Sequence, residues 1–531
     1  MSNSWSFMVI RVASQTKKEK AMKRILILLF FTQFLSLKGF CVVSLSPLFS
    51  DNMVLQQETD APIWGTATPG KRVTISCSWT KDIISTQADA EGRWQTVIRT
   101  PKAGGPYTIN VREAPLSSPE GDTVDLSTDS KTIEAPSGAV GGASCVLSNV
   151  MTGEVWLCSG QSNMEYPVKG WTSVLNADDE LAHSNHPNIR LLQIHKVASV
   201  EPSRSVVANS ETWQTCGPTT LPEFSAIAYF FAREIRERLG DVPVGVIDAT
   251  WGGSNIESWI SAETLAEVPE FRDSIARTDY VPWRNSQTAL YNGMIHPLVP
   301  MALRGVLWYQ GEQNELRGWQ YRDLFTLLIR DWRQQWQQEL PFYYVQLANF
   351  HEHHSEPVEA LWAELREAQA MALHLPQTGM ASAIDVGLGH DVHYPNKQEV
   401  ARRLALIALA KTYGQPIEYS GPRYKDYTID GHKVMVSFTH ADGLTAKEGQ
   451  LREFCIAGSD HVWHNAQARI VSQNKVEVWS DEVKYPVAVR YLWQDNPEAT
   501  LYNAAGLPAN PFRTDDWPLL SQGKTRSNSD Y

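Results

Sequence analysis

A chain of 531 residues, 43% apolar and 20% charged, is long enough to bury large cores and to divide into two or three domains. Its net charge of −12, with no basic run beyond the N-terminus, argues against nucleic acid and anionic membrane surfaces as partners. Cysteines at 41, 77, 145, 158, 216 and 455 lack CxxC spacing, so they make neither a zinc motif nor a dense disulfide framework, though one bridge is open to an exported protein.

Residues 1–44 read as a signal peptide with an upstream extension. Met22-Lys23-Arg24 is a basic start, and residues 25–35 are an apolar stretch too short to span a membrane as a helix. Cleavage is expected within residues 38–44. Lys38-Gly39-Phe40 lacks the small residues that precede a lipidated cysteine, so a lipid anchor at Cys41 is disfavoured. The expectation is an exported protein, periplasmic or extracellular, with no membrane span.

Residues 45–147 are β-rich. Met53-Val54-Leu55-Gln56, Val73-Thr74-Ile75-Ser76 and Trp94-Gln95-Thr96-Val97-Ile98 are separated by turns such as Pro69-Gly70 and Glu91-Gly92, a pattern that suits a β-sandwich. The segment 114–142, rich in Ser, Gly, Asp and Pro, reads as a loop insertion.

From 148 to 415 the rhythm becomes strand, loop, helix. Val155-Trp156-Leu157-Cys158 is an apolar run of strand length that stops at Ser159-Gly160-Gln161-Ser162-Asn163. Helices are predicted over 225–239, 321–336, 358–373 and from 397 onward, the last with Asn396 as N-cap and Glu399 completing a capping box. Strands are predicted over 243–249, 303–309, 342–347 and 380–384. This alternation implies a parallel sheet covered by helices. Residues 416–520 return to β-rich text and are expected to pack on the N-terminal β region or on the core. The tail 521–531 is polar and expected to fray.

A parallel sheet gathers the loops after its strands at one edge. The first such loop carries Ser162, the candidate nucleophile; the second carries Gly252 and Gly253; the third runs from Gln310 to Asn314. The fourth reads Asp385-Val386-Gly387-Leu388-Gly389-His390-Asp391-Val392-His393. An ester hydrolase needs a hydroxyl, an imidazole within reach of it, an acid to orient the imidazole, and donors for the oxyanion. Asp391 and His393 stand two apart, so in extended chain their side chains point the same way, as an acid and base pair would.

Other candidates read as structural. His351, His353 and His354 lie in a polar loop without metal-ligand spacing, and His296 precedes a proline. The chain has nineteen Trp, and among them Trp251, Trp259, Trp283 and Trp308 are candidate walls for a sugar pocket.

Taken together, Gly160-Gln161-Ser162-Asn163-Met164, Trp251-Gly252-Gly253-Ser254, Trp308-Tyr309-Gln310-Gly311-Glu312 and Asp391-Val392-His393 resemble the blocks of the SGNH hydrolases. Among these the chain is similar to the sialate O-acetylesterase family, and Leu290-Tyr291-Asn292-Gly293-Met294 and the segment 511–517 share the likeness. The resemblance implies an α/β, flavodoxin-like, three-layer parallel-sheet core with accessory β-sandwich regions on both sides in sequence. It implies Ser162 as nucleophile, His393 as general base and then acid, and Asp391 as orienter, with Asp385 in reserve. The oxyanion hole would use the amides of Ser162 and Gly253 and the Asn314 side chain. Gln161, Gln310, Glu312 and Trp251 are expected to bind substrate or support the site.

The chain departs from the family pattern at three points. His390 stands where the superfamily places its acid, Tyr394 follows the histidine where proline is usual, and Gln313 holds the place of the oxyanion asparagine, with Asn314 next. The implied activity is hydrolysis of O-acetyl esters on carbohydrate, foremost on sialic acids, through an acetyl-enzyme and with no metal or organic cofactor. Acetylxylan or another polysaccharide is the alternative substrate. A non-catalytic carbohydrate-binding protein is the alternative of a different class.

Overall fold

The computed structural model describes residues 43–113, 144–206, 212–275 and 281–526. Nearly all of the expected signal peptide, and the whole insertion 114–142, lie outside the described residues.

One long strand, β1 (Ser144–Gly160), joins two parts of the molecule. Its first half pairs antiparallel with Gly104–Glu113, and Met151–Gly153 pairs parallel with Val54–Gln56. There the side chains are partly exposed, but from Val150 to Gly160 every residue is buried. That change is what a strand shows when it passes from a sheet with one wet face into a sheet covered on both. The N-terminal β region is therefore hydrogen-bonded directly into the core sheet, which counts eleven strands.

The core strands are β1, β2 (His186–Gln193), β3 (Gln214–Cys216), β4 (Val244–Thr250), β5 (Gly305–Tyr309), β6 (Phe342–Gln346) and β7 (Thr378–Ser382). They lie in the order β3-β2-β4-β1-β5-β6-β7, parallel throughout except for β3, which closes one edge antiparallel to β2. The register sets Gly160 level with Thr250 on one side and Tyr309 on the other, so the loops after β4, β1 and β5 begin at one height.

The helices that open on or flank this sheet include α1 (Ser162–Glu165), α2 (Ala226–Arg238), α3 (Gly318–Trp336), α4 (Leu361–Met371) and α5 (Lys397–Lys411). Ser225 caps α2 by accepting the Ala228 N–H. Asn396 caps α5 in the same way through Glu399, but the reciprocal half of the expected capping box is absent: the Glu399 carboxylate bonds Arg402 and Arg403 instead. Helices α2 and α5 pack on each other, as do α3 and α4. From β1, Trp156 meets Phe231 of α2 edge-on at 5.0 Å, and from β5, Trp308 meets Trp332 of α3 at 5.7 Å.

Two four-stranded sheets between Arg423 and Arg513 carry their own apolar core. They dock on the α/β core, in part through Arg366 of α4. This fully buried guanidinium donates to the carbonyls of Leu347 and Ala348 and, across the junction, of Gln494 and Asp495. The tail begins docked rather than frayed: Ser521 is buried and its N–H donates to Glu364. The five described cysteines are free thiols.

Candidate active site

At the end of β1 the backbone of Gly160 has φ +136°, and a Cβ there would lie 2.1 Å from the Tyr309 carbonyl oxygen, so only glycine fits. The chain then turns sharply into α1. Gln161 secures the turn, its Oε1 accepting the N–H groups of Gly311 and Gln313 at 3.3 Å. Ser162 follows as the first residue of α1, partly exposed above a buried Asn163 and Met164.

The fourth loop delivers His393 to it. His393 Nε2 lies 2.9 Å from Ser162 Oγ. Tyr394, where the family usually has proline, explains how the loop is held. Its side chain is fully buried, its hydroxyl meets that of Tyr309 at 2.9 Å, and the Lys397 ammonium sits 3.5 Å from its ring centroid.

Lys397 donates to Asn163 Oδ1 at 2.6 Å, and Asn163 Nδ2 donates to Glu312 Oε1 at 2.6 Å and to the Val392 carbonyl at 3.1 Å. One buried network thus ties the serine, Glu312 and histidine loops together. Burial pushes the Glu312 carboxyl up and the Lys397 ammonium well down from their ordinary values.

Burial and the nearby Lys397 charge hold the His393 imidazole below its ordinary value, while Asp391 and Glu165 pull it upward. The downward shift favours the uncharged ring, the form that can take a proton from a hydroxyl. Asp391 is exposed, and its Oδ1 accepts the main-chain N–H of His393 at 2.8 Å. Asp385 is engaged elsewhere, paired with Arg403 at 2.6 and 3.0 Å and bonded by the Tyr502 hydroxyl at 3.2 Å.

The glycine loop closes against the nucleophile. Glu165 of α1 accepts the Gly252 N–H at 2.6 Å, and a Cβ on Gly252 would stand 3.2 Å from Ser162 Cβ. Gly253 follows at φ +67°, a left-handed conformation that L side chains adopt only under strain. Neither the Ser162 nor the Gly253 N–H has an acceptor among the described residues.

Asn314 sits elsewhere than the resemblance implied. It is fully buried; its Nδ2 donates to Glu257 Oε2 at 3.1 Å, and its Oδ1 accepts from Gln310 at 2.7 Å and from the Ile256 N–H at 3.0 Å. Both Asn314 and Gln310 brace the loop from behind. Glu257 is itself held by Arg317 at 3.0 Å, with both side chains fully buried.

Of the four candidate tryptophans, Trp259 and Trp308 are wholly buried core. Trp251 is partly exposed and stands 6.3 Å from Trp283, which is 57% exposed. The sequence reading missed Trp171, 54% exposed and 5.1 Å from the His393 ring. His351 and His353 pair with Glu315 and Glu453, and His296 bonds the Ser203 carbonyl.

A hydroxyl, an imidazole against it and two amides without acceptors are parts that acyl transfer uses. A family model described as carbohydrate esterase, sialic acid-specific acetylesterase, matches residues 152–410. The chain is 36% identical to a novel carbohydrate acetylesterase from Xanthomonas citri of known structure, with a TM-score of 0.77, covering 90% of this chain and 100% of that one.

The chain belongs to the sialate O-acetylesterase family. It is 29% identical to the Homo sapiens sialate O-acetylesterase over 87% of this chain and 91% of that protein. It is 28% identical to the Mus musculus enzyme over 87% and 93%. Membership makes it an ester hydrolase acting on carbohydrate, with the mixed α/β core and flanking β-sheet regions described above. Among the described residues no helix is long and apolar enough to cross a membrane.

Proposed function

We propose that the protein is an exported esterase that removes O-acetyl groups from sialic acids through an acetyl-serine intermediate on a three-layer SGNH core. The observation that carries this reading is the 2.9 Å contact between His393 Nε2 and Ser162 Oγ. Ser162 Oγ attacks the acetyl carbonyl carbon while His393 Nε2 takes the hydroxyl proton. The carbonyl π pair moves onto oxygen, where the Ser162 and Gly253 amides receive the oxyanion. Collapse expels the sugar oxygen, which takes the proton from the imidazolium. Water, deprotonated by His393, then attacks the acetyl-serine and releases acetate.

Asp391 acts in this scheme through its charge and by fixing the His393 backbone. Asn314, wholly buried and donating to Glu257, supports the glycine loop from behind, and the oxyanion is assigned to the two main-chain amides. The names of the mammalian relatives support a sialic acid as substrate, and the exposed Trp171 and Trp283 offer flat faces to a sugar ring.

The test is acetate release from O-acetylated sialic acid and from acetylated xylan, with Ser162→Ala as control. Release from sialic acid that falls at least about a thousandfold in the variant supports the proposal. Release from xylan alone keeps the mechanism and overturns the substrate. Equal release by the variant overturns the mechanism, and sugar binding with no release from either substrate favours the binding protein.

A further inference from the structure

Arg284 lies beside the glycine loop and takes no part in the reaction as derived. A Cβ on Gly253 would meet the Arg284 guanidinium at 3.2 Å from Nη2 and 3.4 Å from Nε and Cζ. Ser162 is one residue step away, against Gly252 at a comparable 3.2 Å. The guanidinium carbon also stands 4.9 Å from the ring centroid of Trp283, which packs edge-on against Trp251 at 6.3 Å.

The charge of this arginine is unspent. Arg284 has no ion pair with any carboxylate among the described residues, and its Nε is buried without a hydrogen-bond partner. A buried N–H without a partner is costly, and this one stands beside Gly253 of the reacting loop. Glu165, the carboxylate against the glycine loop, is already held by Lys196 and by the Gly252 N–H. Nor is Arg284 on a free strand of chain. The next residue, Asn285, accepts the Asn255 N–H at 2.8 Å, and the Thr288 N–H donates to the Glu257 carbonyl at 3.0 Å.

We infer that Arg284 is a specificity-determining residue that binds the carboxylate of the sugar whose acetyl ester Ser162 attacks. A guanidinium presents a planar fork of donors matched to a carboxylate, which a neutral sugar cannot use. In a sialic acid the carboxylate and the O-acetylated glycerol arm hang from the two carbons that flank the ring oxygen. One ring can therefore set its carboxylate on Arg284 and its acetyl carbonyl at Ser162, with a face toward Trp283 or Trp251. The inference rests on the esterase reading above and adds to it the chemical feature of the substrate that the site reads.

The test compares 9-O-acetylated sialic acid with its carboxyl methyl ester and with an O-acetylated neutral sugar, using wild type, R284Q, R284K and Ser162→Ala. The expected result is that wild type prefers the free acid. In R284Q the ratio of kcat/KM for free acid to methyl ester falls by about ten- to a hundredfold, mainly through KM. R284K recovers part of that ratio, because the charge returns without the fork.

A wild type that treats acid and methyl ester alike overturns the inference. So does an R284Q variant that loses activity equally on all three substrates, which would make Arg284 a prop for Gly253. Absence of acetate release from every substrate, or an active Ser162→Ala, defeats the esterase reading instead.

Discussion

The Asp391 carboxylate meets His393 at its backbone, accepting the main-chain N–H at 2.8 Å. The carboxylate of a full catalytic triad bonds the imidazole and fixes its tautomer, and its loss costs about 10⁴ in kcat. An exposed carboxylate that braces the loop and contributes charge has less to lose. Asp391→Asn is expected to lower kcat/KM by about ten- to a hundredfold. A fall near 10⁴ would show that the ring takes up Asp391 during turnover.

The pH profile follows from the same surroundings. Burial and Lys397 hold the His393 imidazole below its ordinary value, and Asp391 opposes them. His393 must be neutral to act as base, so the acid limb of kcat/KM is expected below the usual imidazole value of about 6.5. Removing the Asp391 charge takes away an upward pull, so Asp391→Asn should shift that limb to still lower pH. A limb at or above the usual value would contradict the neutral, desolvated ring.

What the sequence revealed and concealed has physical causes. The apolar stripes of α2, α3 and α5 and the polar loops after β1, β4, β5 and β7 are local patterns, and they place Ser162 and His393 at one sheet edge. The sequence predicts strand β1 only over Val155 to Cys158, because its buried half also contains Thr152, Glu154 and Ser159. Glu154 is tolerated inside by pairing with Arg304 and accepting the Tyr413 hydroxyl, partners some 150 and 259 residues away. The burial of Asn314 and the approach of Arg284 to Gly253 also depend on such distant contacts, which no spacing rule reports. The short β3 and its neighbour β2 lack the long periodic signal from which an element can be read.

Beneath the glycine loop, Asp248 of β4 is fully enclosed, and burial pushes its carboxyl up to about 7. Its unfolded value is near 3.8, so the folded state binds the proton more tightly. The stability this contributes is fully present below the unfolded value and is lost as pH rises toward the folded one. Stability to denaturant is expected to decline between roughly pH 4 and pH 7 from this group. Asp248→Asn, which can still accept from Thr250, should remove that slope and be the more stable protein above pH 7. Parallel urea titrations of the two proteins at pH 5 and pH 8 decide it; an unchanged slope would mean that Asp248 is ionised inside the fold.

Lys397 is the charge on which the meeting of the loops depends. It is wholly enclosed, donates to Asn163 and lies over Tyr394, and Glu312 answers it through the same asparagine. Lys397→Met leaves Asn163 Oδ1 without its donor and Glu312 without a compensating cation. Breaking a buried charge arrangement from one side costs about 3–5 kcal/mol, whereas replacing both partners costs much less than the sum. Lys397→Met is therefore expected to lower the unfolding free energy by about 3 kcal/mol, and the double variant with Glu312→Gln to recover a large part of it. Because the network also seats Val392 beside His393, the single variant should lose kcat before it loses the fold. Urea unfolding and kcat measured on the same preparations separate the two effects. Additive losses in the double variant would show that Lys397 and Glu312 stabilise the site independently.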